Sequence, residues 1–123
     1  MIVINYQDRR PIYEQIVERF QVLIVSGALE ADSQMPSVRS LAMELSINPN
    51  TIQKAFAILE QEGYIYSVKG KGNFVAGNEE LARKKKEEFI CELKETLEKG
   101  RCLGVTKEEC IQAVTEFFKE EML

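Results

Sequence analysis

Ser46-Ile47 is a tight connection between two stretches with helical periodicity. Upstream, Val38, Leu41, Ala42 and Leu45 recur at the three- and four-residue spacing of one helix face. Downstream, Ile52, Ala55, Phe56 and Leu59 do the same. A link this tight makes the two helices neighbours, the arrangement of a helix-turn-helix. Ser37 stands as the N-cap of the first, expected over about 38–45. Asn48 is a good N-cap and Pro49 a good first residue for the second, about 49–62, which Gly63 ends.

The flanking pieces complete a small domain. Ile2-Val3-Ile4 reads as a short edge strand. Pro11 opens a helix whose stripe is Ile12, Ile16, Phe20, Leu23 and Ile24, closed by Ser26-Gly27. A loop runs from 28 to 36. After Gly63, residues 64–67 and 73–76 are strand candidates rich in aromatic and β-branched residues. Between them lies Val68-Lys69-Gly70-Lys71-Gly72, a cationic, glycine-punctuated turn. The expected fold is mainly α with a small β-hairpin wing: a winged helix-turn-helix over residues 1–77.

Residues 78–123 have a different composition. The segment 79–99 is highly charged, with Leu81, Phe89, Ile90, Leu93 and Leu97 as sparse apolar positions, and reads as one long amphipathic helix ended by Gly100. Gly104 opens a second unit, where Thr106-Lys107-Glu108-Glu109 fits a capping box. Ile111, Val114, Phe117 and Phe118 supply its stripe. Two such helices cannot bury both apolar faces against each other alone. They need the first domain or another subunit, and a homodimer paired through this helical hairpin is expected.

The helix after the tight turn begins with polar residues. Asn48, Asn50, Thr51, Gln53 and Lys54 project away from the stripe of Ile52, Ala55, Phe56 and Leu59. The second helix of a helix-turn-helix enters the major groove by its N-terminal end, where amides, hydroxyls and cations can meet base edges and phosphates. Arg39, one turn into the preceding helix, is placed for a backbone contact. Lys69 and Lys71 flank Gly70 in the wing, where glycine admits close approach to a phosphate or the minor groove. The formal net charge of −4 argues against a nucleic-acid partner only as a sum. Residues 1–77 hold seven Lys or Arg against eight Asp or Glu, and residues 78–123 hold nine against twelve, so the front is the less acidic part.

PIYEQI, MPSVRSLAMEL, NPNTIQKAFAILEQEGYI and KGKGNFV occur in this order over about 11–76. In these motifs the chain resembles the GntR family of bacterial transcriptional regulators. The resemblance implies double-stranded operator DNA as partner. It also implies DNA contacts at Ser37 and Arg39, at Asn48, Asn50, Thr51, Gln53 and Lys54, and at the wing tip Gly70, Lys71 and Gly72. The family's usual Pro-Gly pair is replaced here by Ala31-Asp32, and its leucine by Met35. Only 46 residues follow Gly77, too few for the large ligand-binding or aminotransferase-like domains of other members. This is similar to the YtrA subfamily, in which a pair of helices dimerises and whose members commonly repress ABC-transporter operons. The reading is thus a repressor that binds a pseudo-palindromic operator as a homodimer, with half-sites about 34–36 Å apart. The sequence identifies no effector.

Rival classes fit less well. An enzyme lacks support: the chain has no histidine and no nucleophile motif, and GKG lacks the spacing and following helix of a phosphate loop. A winged-helix adaptor for protein partners would place an apolar patch where Asn50, Gln53 and Lys54 stand. Cys91, Cys102 and Cys110, spaced 11 and 8 residues apart, match no compact metal motif and read as core or incidental. No cofactor is expected. An odd cysteine count with no export signal and no apolar run near 20 residues points to a cytoplasmic protein without a membrane span.

Overall fold

The computed structural model describes residues 2–77 and 79–121. Its elements are α1 (Ile12–Val25), α2 (Val38–Leu45), α3 (Pro49–Gln61), β1 (Ile65–Val68), β2 (Gly72–Val75), α4 (Glu79–Cys102) and α5 (Lys107–Glu121). The chain packs as two compact units, Met1–Arg83 and Lys84–Leu123. The expected boundary after Gly77 abuts residue 78, which lies outside the described residues.

In the first unit, α1 packs against α3, and the stripes foreseen on both meet. Ile16, Phe20, Ile52 and Leu59 are fully buried, and the Phe20 and Phe56 rings meet edge to face at 5.7 Å. Leu41 and Ala42 of α2 complete the three-helix core. The antiparallel hairpin pairs Ile65 with Val75 and Val68 with Gly72, and its base delivers Tyr64, Ile65 and Val75 to the same core. Leu81, in the first turns of α4, also packs there.

The caps explain the tight turn. Ser37 Oγ accepts from the Ser40 amide at 3.0 Å, opening α2. At its other end Ser46 takes a left-handed conformation (φ 55°), and the Ile47 and Ser46 amides return to the carbonyls of Ala42 and Met43. This is a helix-ending motif normally built on glycine. Asn48 Oδ1 then accepts from the Asn50 amide at 2.8 Å and starts α3.

Three local expectations are corrected. Ile2–Ile4 is no strand: it is an arm without ladder partners, with Ile2 buried in the core and Val3 exposed. Gln15 ties the arm down, accepting from the Asn5 amide at 2.9 Å and donating to the Asn5 carbonyl at 3.0 Å. Pro11 is the N-cap of α1 and not its first residue. Gly100 does not end α4, which continues to Cys102. The stop comes at Gly104 (φ 88°), where the Val105 amide donates to the Gly100 carbonyl at 2.9 Å and the Gly104 amide to the Arg101 carbonyl at 3.1 Å.

The loop after α1 is more structured than its composition implied. Gln34 bridges to Phe74, the Met35 amide donates to the Asn73 carbonyl at 2.8 Å, and the Val75 amide to the Ser33 carbonyl at 2.9 Å. It runs beside β2 as a short third strand would.

The second unit is a helical hairpin closed by its capping box. Glu109 Oε1 accepts from the Thr106 amide at 3.0 Å, and Thr106 Oγ1 from the Glu109 amide at 3.1 Å. No residue of α4 is buried. Phe89 and Phe117 stand 61% and 64% exposed, far more than a core would leave them.

Candidate nucleic-acid interface

All eleven residues singled out above lie in the first unit. Ser37, Arg39, Asn48, Asn50, Gln53, Lys54, Lys69, Gly70, Lys71 and Gly72 are exposed, and Thr51 is half-buried. They fall on three segments: the start of α2, the first two turns of α3 and the turn of the hairpin.

Helix periodicity explains the α3 group. With Ile52, Ala55, Phe56 and Leu59 buried, residues 50, 53 and 54 are left on the outward arc. Ser37 and Asn48 serve the backbone first, since both side-chain oxygens are engaged as caps. Asn48 retains its two amide N–H donors.

The wing turn owes its shape to two glycines. Gly70 (φ 78°) and Gly72 (φ 110°) lie in the region that L side chains avoid. The Lys71 amide closes the turn on the Val68 carbonyl at 2.9 Å. Gln34 Nε2 donates to the Lys71 carbonyl at 2.9 Å. Beside the turn, Tyr66 and Phe74 stack at 5.7 Å, and the Tyr66 hydroxyl donates to Asp32 Oδ1 at 2.8 Å. That hydrogen bond to the carboxylate pushes the Tyr66 phenol above its ordinary range.

The charges of this face are free of internal neutralisation. Among the described residues, Arg39, Lys54, Lys69 and Lys71 have no carboxylate within ion-pair distance, whereas Arg10 pairs with both Asp8 and Glu18. Lys54 lies instead over the ring of Tyr13, with Nζ 3.9 Å from its centroid. Sequence reasoning missed Tyr13 and Gln34, because each meets its partner only across the fold.

No other described cluster competes as a site. Among the described residues no group of His, Cys, Asp and Glu side chains could hold a metal. Cys91 and Cys102 are exposed and Cys110 is half-buried, so none of the three is a core residue. No described helix is long and apolar enough to cross a membrane.

Three helices, a tight second turn and a β wing, with polar residues opening the third helix, define a winged helix-turn-helix DNA-binding domain. Residues 12–75 match the family described as bacterial regulatory proteins, gntR family, and the chain belongs to it. It is a transcriptional regulator by that membership, as its motifs implied. The HTH-type transcriptional repressor YtrA of Bacillus subtilis (strain 168) is 40% identical over 78 residues, which are 63% of this chain and 60% of YtrA. A GntR family transcriptional regulator from Listeria monocytogenes is similar in structure, with a TM-score of 0.76 and 36% identity over 89% of this chain and 96% of its own. The DNA-binding domain of AraR, solved in complex with operator ORE1, has a TM-score of 0.53 and 30% identity over 62% of this chain and 93% of its own.

Proposed function

We propose that this chain is a repressor that binds a pseudo-palindromic operator as a homodimer. The observation that carries the reading is the polar, exposed N-terminal arc of α3, set on a fully buried apolar stripe. Residues 1–77 supply the reading of DNA. Asn50, Thr51, Gln53 and Arg39 select bases, for which amide, hydroxyl and guanidinium groups have the right donors and acceptors. Ser37, Asn48, Lys54 and the wing residues Lys69, Gly70, Lys71 and Gly72 engage the backbone and supply much of the affinity. AraR's domain on its operator supports this use of the fold, and the YtrA likeness supports repression.

Residues 78–123 supply the pairing. Between α4 and α5 of the second unit runs an open groove lined by Leu93, Leu97, Val105, Ile111 and Val114. A second copy of the hairpin covers it and brings two recognition helices to successive major grooves. The resemblance to the YtrA subfamily points to an ABC-transporter operon as the target, and such a regulator works in the cytoplasm. A protein-interaction adaptor would need an apolar recognition face, which α3 does not present.

The test is selection of bound duplexes from a random library by purified protein at fixed salt. An inverted repeat supports both the DNA reading and the two-fold geometry. A folded, dimeric protein that enriches no motif, with or without screened small molecules, defeats it.

A further inference from the structure

Lys54 is the single basic residue of α3. Its ammonium sits 3.9 Å from the centroid of the Tyr13 ring, contributed by the first turn of α1. The two are 41 positions apart and meet because α1 packs against α3. The ring is half-buried against the core and thus a fixed platform, while Lys54 is exposed. Several other cations are held by carboxylates instead: Arg10 by Asp8 and Glu18, Lys85 by Glu88, Arg101 by Glu98. A carboxylate neutralises the cation it orders and occupies its N–H groups. A ring face attracts the cation through its quadrupole, adds no formal charge and leaves the other side of the ammonium open. Lys54 is therefore ordered in advance while keeping its full charge for an incoming anion. A lysine free in solvent would lose that rotamer freedom only on binding.

We infer that Tyr13 is a positioning residue for DNA binding, holding the Lys54 ammonium at the N-terminal end of α3 for a phosphate. This rests on the DNA reading above. It adds α1 to the interface as the element that orients a contact it does not itself make.

The test uses the full chain, the duplex it selects from the random library, and an unrelated duplex of equal length. Tyr13→Phe keeps the ring face and is expected to bind as the unaltered protein does. Tyr13→Leu removes the face and is expected to weaken binding about two- to fivefold on both duplexes. Lys54→Met lowers the slope of log affinity against log salt by about one. In the Lys54→Met background, Tyr13→Leu has no further effect. Without DNA, the Lys54 ε-methylene proton resonances are displaced upfield by the ring in the unaltered protein and in Tyr13→Phe, and return in Tyr13→Leu. An equal loss from Tyr13→Leu with and without Lys54 overturns the inference, since Tyr13 would then act through packing alone. So does normal binding by Lys54→Met. Failure of the unaltered protein to bind any duplex is a different result: it removes the DNA reading and the inference with it.

Discussion

The side-chain amide of Gln34 donates to the carbonyl of Lys71 at 2.9 Å, joining the loop after α1 to the turn of the wing. The same nitrogen would lie 3.3 Å from a Cβ built on Gly72, so the loop and the turn are closely fitted. Gln34→Ala removes this brace while sparing the core. One hydrogen bond contributes about 0.5–1.5 kcal/mol, and operator affinity is expected to fall by about two- to tenfold. Fluorescence anisotropy on the selected duplex measures it. Unchanged affinity would mean that the wing needs no support from Gln34.

Arg39 is exposed on the second residue of α2. If its guanidinium reads a base, Arg39→Ala costs about 1–3 kcal/mol on the selected duplex and relaxes preference at one position. Equal loss on an unrelated duplex assigns it to phosphate. Titrations on both duplexes at one salt concentration separate the two.

Leu93 and Leu97 line the apolar groove of the hairpin. Lysines at both, Leu93→Lys with Leu97→Lys, would place unpaired charges in the proposed interface. Sedimentation velocity is expected to show a monomer with undiminished helical circular dichroism and at least tenfold weaker operator binding, because one half-site is then read alone. A variant that remains dimeric moves the interface elsewhere.

Gly100 and Gly104 predict opposite outcomes for the same substitution. Gly100 is helical, and an added Cβ would meet Val105 Cβ at 3.6 Å, an ordinary contact. Gly100→Ala therefore stabilises by about 0.5–1 kcal/mol, through helix propensity and lost unfolded-state freedom. Gly104 holds φ 88°, which alanine resists, so Gly104→Ala destabilises by about 1–2 kcal/mol. Thermal unfolding of the two variants decides, and shifts of the same sign would contradict the assigned helix end.

Glu109 is held below the ordinary glutamate range, chiefly by the hydrogen bond from the Thr106 amide. A depressed value means the folded chain prefers the carboxylate. The contribution is present above the unfolded value of about 4.3 and fades as pH falls through the lower folded value. The start of α5 is expected to fray in that acidic window, and Glu109→Gln, which keeps an acceptor, to lose most of the pH dependence. Amide exchange at Thr106 reports it directly.

Much of this molecule is legible because it is written locally. The stripes of Ile16 and Phe20, Leu41 and Ala42, and Ile52 and Leu59 follow from helical spacing, and Asn48-Pro49 marks a helix start within two residues. The Thr106–Glu109 box closes within one turn, so its hydrogen bonds need nothing distant. With those stripes buried, the outward residues of α3 follow by elimination.

What tertiary structure alone decided involves partners far apart in the chain. Gln34 meets Lys71 across 37 positions, and Tyr13 meets Lys54 across 41. No period or propensity marks either pairing. Gly100 looked like a stop because glycine is a poor helix former, yet its carbonyl accepts the Val105 amide and becomes part of the cap. Ile2 looked like strand because it is β-branched, yet it is buried while Gln15 holds the Asn5 backbone that a neighbouring strand would otherwise have paired. Propensity sets what a segment prefers in isolation. Packing and the need to satisfy every backbone group decide which preference survives.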